Sequence, residues 1–370
     1  MISIWEKESL LNYDVIVVGA GITGLSTAAS LKERSPQLNI LVLEKGTLPA
    51  GASTRNAGFA CFGSTSELLE DIDHLGEDGM QKLVEKRWLG LQKTRDRLGA
   101  NEIGFEPCGG YELFRASDPL EDAVIPRLNH LLKDIVGHEV FMPCTEELKS
   151  LGFRHIKHLV FNKYEGAIHT GKMMNALWSY CQSLGIRIIT GTPVVSIDSS
   201  SGAVHTDTFT FESNAIAVCT NAFSGNLLQN IDLKPGRGMV MLIKPERPIH
   251  YTGTFHYDRG YYYFRHFEQK LLFGGGRNLD YETESTVEFG INPKIRKRLI
   301  HDLENLILPD QSYEIEMEWS GIMAFGDTKA PVIQQVDHHL FAGVRLGGMG
   351  VAIGSMVGEE LAELIIKTYF

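Results

Sequence analysis

Cysteine is scarce in this chain. Cys61, Cys108, Cys144, Cys181 and Cys219 are scattered, odd in number and never spaced as Cys-x-x-Cys. That pattern supports neither a disulfide framework nor a zinc motif. No metal site is therefore expected, and the thiols read as reduced and mostly buried in a cytoplasmic protein. Long apolar runs are missing too. Nothing approaches the ~20 uninterrupted apolar residues of a membrane helix, so no integral membrane segment is expected. The opening Met1-Ile2-Ser3-Ile4-Trp5-Glu6-Lys7-Glu8 has no basic stretch followed by an apolar one and does not read as a secretory signal. Positive charge is in deficit. The 35 Lys and Arg residues against 46 Asp and Glu leave a net charge of −11, which argues against general binding to nucleic acid. No internal repeat, low-complexity tract or flexible linker interrupts the sequence.

What is present begins with Tyr13-Asp14-Val15-Ile16-Val17-Val18-Gly19-Ala20-Gly21-Ile22-Thr23-Gly24. A β-branched run enters a glycine-punctuated turn, and an Ala-rich amphipathic stretch follows. The order is strand, Gly-x-Gly-x-x-Gly, helix. In such a unit Gly19 allows the tight turn, Gly21 lets backbone approach a pyrophosphate, and Gly24 lets the helix pack on the strand. The helix start offers free N–H groups and a positive dipole end to phosphates. The glycines alone are weak evidence. Their position is stronger, because a second strand, Asn39 to Leu43, ends in Glu44, 20 residues after Gly24. A carboxylate there accepts from ribose hydroxyls and repels a 2′-phosphate. A plain strand–turn–helix explains less of this than a dinucleotide site does.

A chain of 370 residues is too long for one simple core, so two lobes are expected. Residues 1 to 12 read as a polar arm. The loop Lys45 to Gly63 is rich in small and polar residues. Residues 66 to 99 read as one or two helices, 102 to 115 as a strand pair around Gly109-Gly110, and 118 to 136 as helix. A helix over 171 to 184 and a strand at 186 to 190 restore a β-α-β rhythm. A small meander (194 to 197, 203 to 211) and the buried-type strand Ala215 to Cys219 follow. From 235 to 320 the runs alternate and are aromatic, as in an antiparallel sheet, with a helix near 293 to 307. The tail returns to strand (340 to 343), a segment from Val344 to Gly354, and a helix to Lys367. His338-His339 reads as a solvated turn rather than a metal pair.

These pieces together resemble the D-amino-acid oxidase, glycine oxidase and sarcosine oxidase family of FAD-dependent oxidoreductases over nearly the whole chain. Four segments carry the resemblance: the opening unit ending in Glu44; Gly51-Ala52-Ser53-Thr54-Arg55-Asn56-Ala57-Gly58; Val218-Cys219-Thr220-Asn221-Ala222-Phe223-Ser224; and Gly348-Met349-Gly350-Val351-Ala352-Ile353-Gly354. Pro235-Gly236-Arg237-Gly238 resembles the step between the family's lobes. The fold class implied is α/β, a Rossmann-like FAD-binding domain of the GR2 type with a second, mostly antiparallel β-sheet substrate domain. The expected division is residues 1–85, 150–225 and 326–370 for the discontinuous FAD-binding domain, and 86–149 and 226–325 for the substrate domain.

The cofactor implied is FAD. The residues implied to hold it are Gly19, Gly21, Ile22, Thr23, Gly24, Glu44, Lys45, Ser53, Thr54, Arg55, Asn56, Ala57, Gly58, Val195, Thr220, Asn221, Gly347, Gly348, Met349, Gly350, Val351 and Ala352. Val195 would lie near the adenine, residues 51 to 58 beside the ribityl chain and ring, and 348 to 353 near the pyrimidine end. Arg55 stands where some relatives carry a histidine bonded to flavin. No cysteine lies between Ser320 and Pro331, where others attach it, so the FAD is expected to be non-covalent. The implied reaction is hydride transfer from a C–H beside nitrogen to flavin N5, on a small amine or amino acid. Sarcosine oxidases carry a lysine where Ala352 stands, and Met349 replaces the family's histidine. Arg345 and Arg277 are therefore the candidate carboxylate clamps, with Tyr263 on the pocket side of its strand. Arg265 reads better as a surface or structural ion pair. The alternatives are a 2-hydroxy acid or polyol-phosphate dehydrogenase, and the flavin subunit of a partner-dependent complex.

Overall fold

The computed structural model describes residues 3–370; Met1 and Ile2, part of the arm expected over 1 to 12, lie outside the described residues. The β-branched run forms strand Asn12–Val18, paired in parallel with Ile40–Leu43 on one side and Thr210–Val218 on the other. The sheet runs Val332–Asp337, Leu340–Val344, Thr210–Val218, Asn12–Val18, Ile40–Leu43, Arg187–Ile189. Along this path only the edge strand Val332–Asp337 is antiparallel, and Ala203–Thr206 and Val194–Asp198 add an antiparallel pair beside Thr210–Val218. Val15 and Val17 pack against helices Ile22–Arg34, Thr170–Ser183 and Gly350–Tyr369, while Ile16 and Val18 face Val204, Phe211 and Leu228. Burial on both faces explains why the strand reads as continuously apolar.

Glycine lets the helical layer close down on this sheet. A Cβ on Gly24 would stand 1.9 Å from Gly19 O, and one on Gly90 would stand 1.9 Å from Ala352 O. A Cβ on Gly354 would meet Ile22 Cγ2 at 2.6 Å, and one on Gly358 would meet Thr27 N at 2.7 Å. The C-terminal helix thus lies directly on helix Ile22–Arg34, which brings the last helix of the chain against the opening unit.

The second sheet runs Tyr313–Phe325, Lys234–Pro245, Lys270–Gly275, Tyr262–Phe267, Thr254–Tyr257, Gly110–Arg115, Ile156–Asn162, Phe141–Pro143. It is antiparallel save for Thr254–Tyr257 beside Gly110–Arg115. One face carries Met239, Met241, Tyr262, Phe264 and Phe273, buried against helix Pro293–Asp302. The other face looks toward the loop after Glu44, and the small ladder Phe59–Ala60 with Gly166–Ala167 joins the lobes.

Several expectations are corrected. The N-terminal arm contains a helix, Ile4–Leu10, started by a capping box in which Ser3 Oγ accepts from Glu6 N and Glu6 accepts from Ser3 N. Residues 102 to 109 form turns, and only Gly110–Arg115 of the expected strand pair is a strand. The helix in 118 to 136 is confined to Val124–Leu132. The segment to Gly354 is already helical from Gly350, its glycines serving helix contact rather than a loop. Strand Ile156–Asn162 pairs in the antiparallel sheet, beyond the boundary expected at 150, and helix Thr65–Leu98, kinked at Gly76 (φ 72°), crosses the one expected at 85.

Candidate active site

The opening turn closes as its glycines require. Gly19 takes φ 102° and donates to Leu43 O at 2.8 Å. Gly21 caps helix Ile22–Arg34, whose first N–H groups have no carbonyl one turn earlier. Ser53 Oγ accepts from Ile22 N at 3.0 Å, which brings the second loop to the helix N-terminus. Thr23 is buried behind that point, its Oγ1 without a partner. Glu44 accepts from Ala20 N at 2.9 Å and Gly46 N at 3.0 Å, so its carboxylate lies at the turn, with Lys45 exposed beside it.

The loop from Gly51 is folded by its own polar groups. Asn56 Nδ2 donates to Ala52 O and Ser53 O, while its Oδ1 accepts from Gly58 N and Thr170 Oγ1. Thr54 Oγ1 donates to Pro49 O. Gly58 (φ 73°) has its carbonyl held by Ile168 N and Arg265 Nη1. Ala57 is buried against Val240, Leu242 and Leu272 of the second sheet. Arg55 donates to Ser320 O and lies 4.2 Å over the Phe289 ring.

Thr220 Cγ2 packs against Gly19, and Asn221 (φ 48°) accepts from Arg345 N at 3.0 Å. Gly347 (φ 57°) donates to Ala324 O at 3.0 Å, and a Cβ on Gly348 would meet nothing within 4 Å. Met349 caps the helix whose first turn holds Gly350, Val351 and Ala352. Two helix N-termini and a small-residue loop thus converge around one cleft, and this donor set fits a dinucleotide with a negative pyrophosphate. Val195 is 55% exposed on strand Val194–Asp198, and the preceding Gly191 and Thr192 donate to Gly46 O and Glu44 O beside the opening turn.

Opposite the loop, the register of the second sheet sets Met323, Gly321 and Trp319 beside Gly236, Gly238 and Val240, then Gly274, Tyr263 and His256. All share one face because strand side chains alternate. The glycines clear space there. The nearest atom to a Cβ on Gly238 would be Met323 Cε at 3.0 Å, and the Tyr263 ring lies across Gly274. Phe59 stands edge-on to both Tyr263 and His256, and Trp319 Nε1 donates to Arg55 O. Burial pushes the Tyr263 phenol up to about 12, so it stays a donor.

The two candidate clamps separate. Arg345 is committed: Nε donates to Ala330 O, Nη1 to Asp232, and Nη2 to Thr328 Oγ1. It brackets loops, its guanidinium already donating to four protein acceptors. Arg277 is stacked between Phe325 (3.8 Å) and Tyr281 (4.7 Å), and the nearby acid Glu284 is taken by Arg237. Burial lowers its pKa, and no carboxylate pairs with it among the described residues. Arg265 is corrected. It is buried, with no ion pair among the described residues, and clips the loop through Gly58 O. Sequence reading missed Phe59, Trp319, Met323 and the glycines at 236, 238, 274 and 321. Their signal was parity along strands whose pairing was not yet known.

A glycine-rich turn and two helix N-termini that fit a dinucleotide, set opposite an apolar sheet face, are the arrangement of a dinucleotide-dependent oxidoreductase. The chain belongs to the FAD dependent oxidoreductase family, whose match spans residues 14–364. It is 24% identical to a probable oxidoreductase, OrdL, of Haemophilus influenzae over 95% of this chain and 83% of that protein. It is 25% identical to the gamma-glutamylputrescine oxidoreductase of Escherichia coli, with the same coverage. Its fold is that of glycine oxidase from Geobacillus kaustophilus, with a TM-score of 0.79 at 21% identity over 97% of this chain and 96% of that one. The protein is an FAD-dependent enzyme, and no described helix is long and apolar enough to cross a membrane.

Proposed function

We propose that this enzyme oxidises the C–N bond of a small amine or amino acid that bears an anionic group. The observation that carries the reading is the unpaired Arg277 guanidinium, held flat between Phe325 and Tyr281 at the edge of the glycine-cleared chamber. A planar guanidinium without a carboxylate of its own has the fork geometry to receive one bidentately. Phe325 follows Ala324, whose carbonyl holds Gly347, so this receptor borders the C-terminal loop of the dinucleotide cleft.

Bound FAD supplies the hydride acceptor. The protein holds it through Gly19 to Gly24, Glu44, Ser53 to Gly58, Thr220, Asn221 and Gly347 to Ala352, without a covalent link. Phe59, Trp319 and Met323 exclude water from the chamber, and the Tyr263 hydroxyl orients the substrate's polar end. Anaerobic mixing with a panel of amines, amino acids and 2-hydroxy acids tests the reading through bleaching of the flavin absorbance. Bleaching by nitrogen substrates with release of ammonia or a smaller amine is expected. Bleaching only by hydroxy acids would overturn it. Acid precipitation should leave the yellow colour in the supernatant.

A further inference from the structure

A cluster at the Thr254–Tyr257 end of this sheet face points to a metal. Cys61 leaves the ladder strand Phe59–Ala60, and Glu165 precedes its partner Gly166–Ala167. The Ala60–Gly166 pairing brings the two side by side one step further on. His256 joins them from strand Thr254–Tyr257. The three side chains are buried, at 8%, 2% and 6% exposure, and their Sγ, carboxylate and imidazole donor atoms all lie within 4.8 Å of one another.

Two donors are unsatisfied. His256 Nε2 and Glu165 Oε1 have no hydrogen-bond partner, and burying such groups unpaired is costly. His256 Nε2 lies 3.6 Å from Glu165 Oε2, beyond hydrogen-bonding distance. The N···O edge of a tetrahedral zinc site with ordinary bond lengths is about 3.4 Å. The neighbouring Glu112 stays out of the set, because Ser64 and Ser66 already donate to it.

We propose that Cys61, Glu165 and His256 bind one zinc ion as its three protein ligands, with the fourth tetrahedral position left to a solvent molecule. Binding expels to solvent the thiol proton and any imidazolium proton on His256. Thiolate, carboxylate, neutral imidazole and Zn²⁺ then sum to a neutral cluster, the state burial favours. The ion ties the end of the flavin loop to the small ladder and to the antiparallel sheet, and takes no part in electron transfer. No sequence motif announces it, because the ligands come from three distant segments.

Elemental analysis of the purified FAD-loaded enzyme, dialysed against a weak chelator, tests the site. About one zinc per chain is expected, falling about tenfold or more in Cys61→Ala and His256→Ala but kept in Cys108→Ala. Circular dichroism and FAD content identify variants that failed to fold. For the wild type, zinc well below one per chain, with none taken up on incubation with zinc chloride after chelator treatment, overturns the proposal. Equal zinc in wild type and folded ligand variants overturns it as well.

Discussion

Two sets of glycines, one in each lobe, serve opposite purposes. In the dinucleotide lobe, a Cβ on Gly24 or Gly90 would reach within 1.9 Å of a backbone carbonyl oxygen. Backbone in packed helices has nowhere to move, so these glycines are conditions of the fold. In the antiparallel lobe, a Cβ on Gly238 would meet only the end of the Met323 side chain, and one on Gly321 only Arg55. Those glycines let a side chain or the flavin loop lie against this face of the sheet. One set therefore governs whether the chain folds and binds its cofactor. The other governs what enters.

The hardest test of that contrast is Gly24→Ala. The added methyl forces helix Ile22–Arg34 off strand Asn12–Val18, at a cost of more than about 3 kcal/mol. FAD should be lost and Tm should collapse; an FAD-loaded Gly24→Ala protein with wild-type Tm would break the comparison. Second comes Arg277→Gln. With no internal ion pair to lose, it should fold normally, while kcat/KM for anionic substrates falls about a hundredfold. Arg345→Gln is the counterpart: it frees Asp232 and three loop acceptors, costing about 1–3 kcal/mol with KM little changed. Thermal unfolding and steady-state kinetics on the pair decide the matter, since reversed effects would exchange the two arginines' roles.

The same contrast explains what could be read from the sequence. The opening unit was legible because its geometry leaves no alternative to glycine at 19 and 24, and because Glu44 follows at the end of the adjacent strand. The antiparallel lobe was legible as a class, through alternation in Tyr261 to Phe273. Its chamber was not, because Gly238, Trp319, Tyr263 and Phe59 meet only through strand pairing across tens of residues. Arg345 and Arg277 look equivalent in sequence. Only the position of Asp232, more than a hundred residues before Arg345, separates a bracket from a free cation. The capping box at Ser3 and Glu6 could have been read locally, and the absence of apolar periodicity masked it.

A smaller effect tests whether the chamber is where the glycines place it. Gly238→Ala meets only a flexible methionine end, so Tm and FAD content should stay near wild type while KM rises about tenfold. Unchanged KM would mean that substrate does not pass over this face.

Tyr263→Phe should be the mildest change and the most specific. The hydroxyl has no hydrogen bond to another described side chain, so its loss leaves no orphaned protein partner. Removing one neutral hydrogen bond to substrate costs about 1 kcal/mol, or about fivefold in kcat/KM. The pH dependence carries the argument further. Burial raises the phenol to about 12, so between pH 7 and 10 it remains protonated and donating. The ratio of wild-type to Tyr263→Phe kcat/KM should therefore stay constant across that range. A ratio that fell to one as pH approached 10 would show the phenol ionising as it does in water. The Phe59, Trp319 and Tyr263 wall would then be open to solvent, and the chamber would lose the dryness that distinguishes it from the polar, hydrogen-bonded loop facing it.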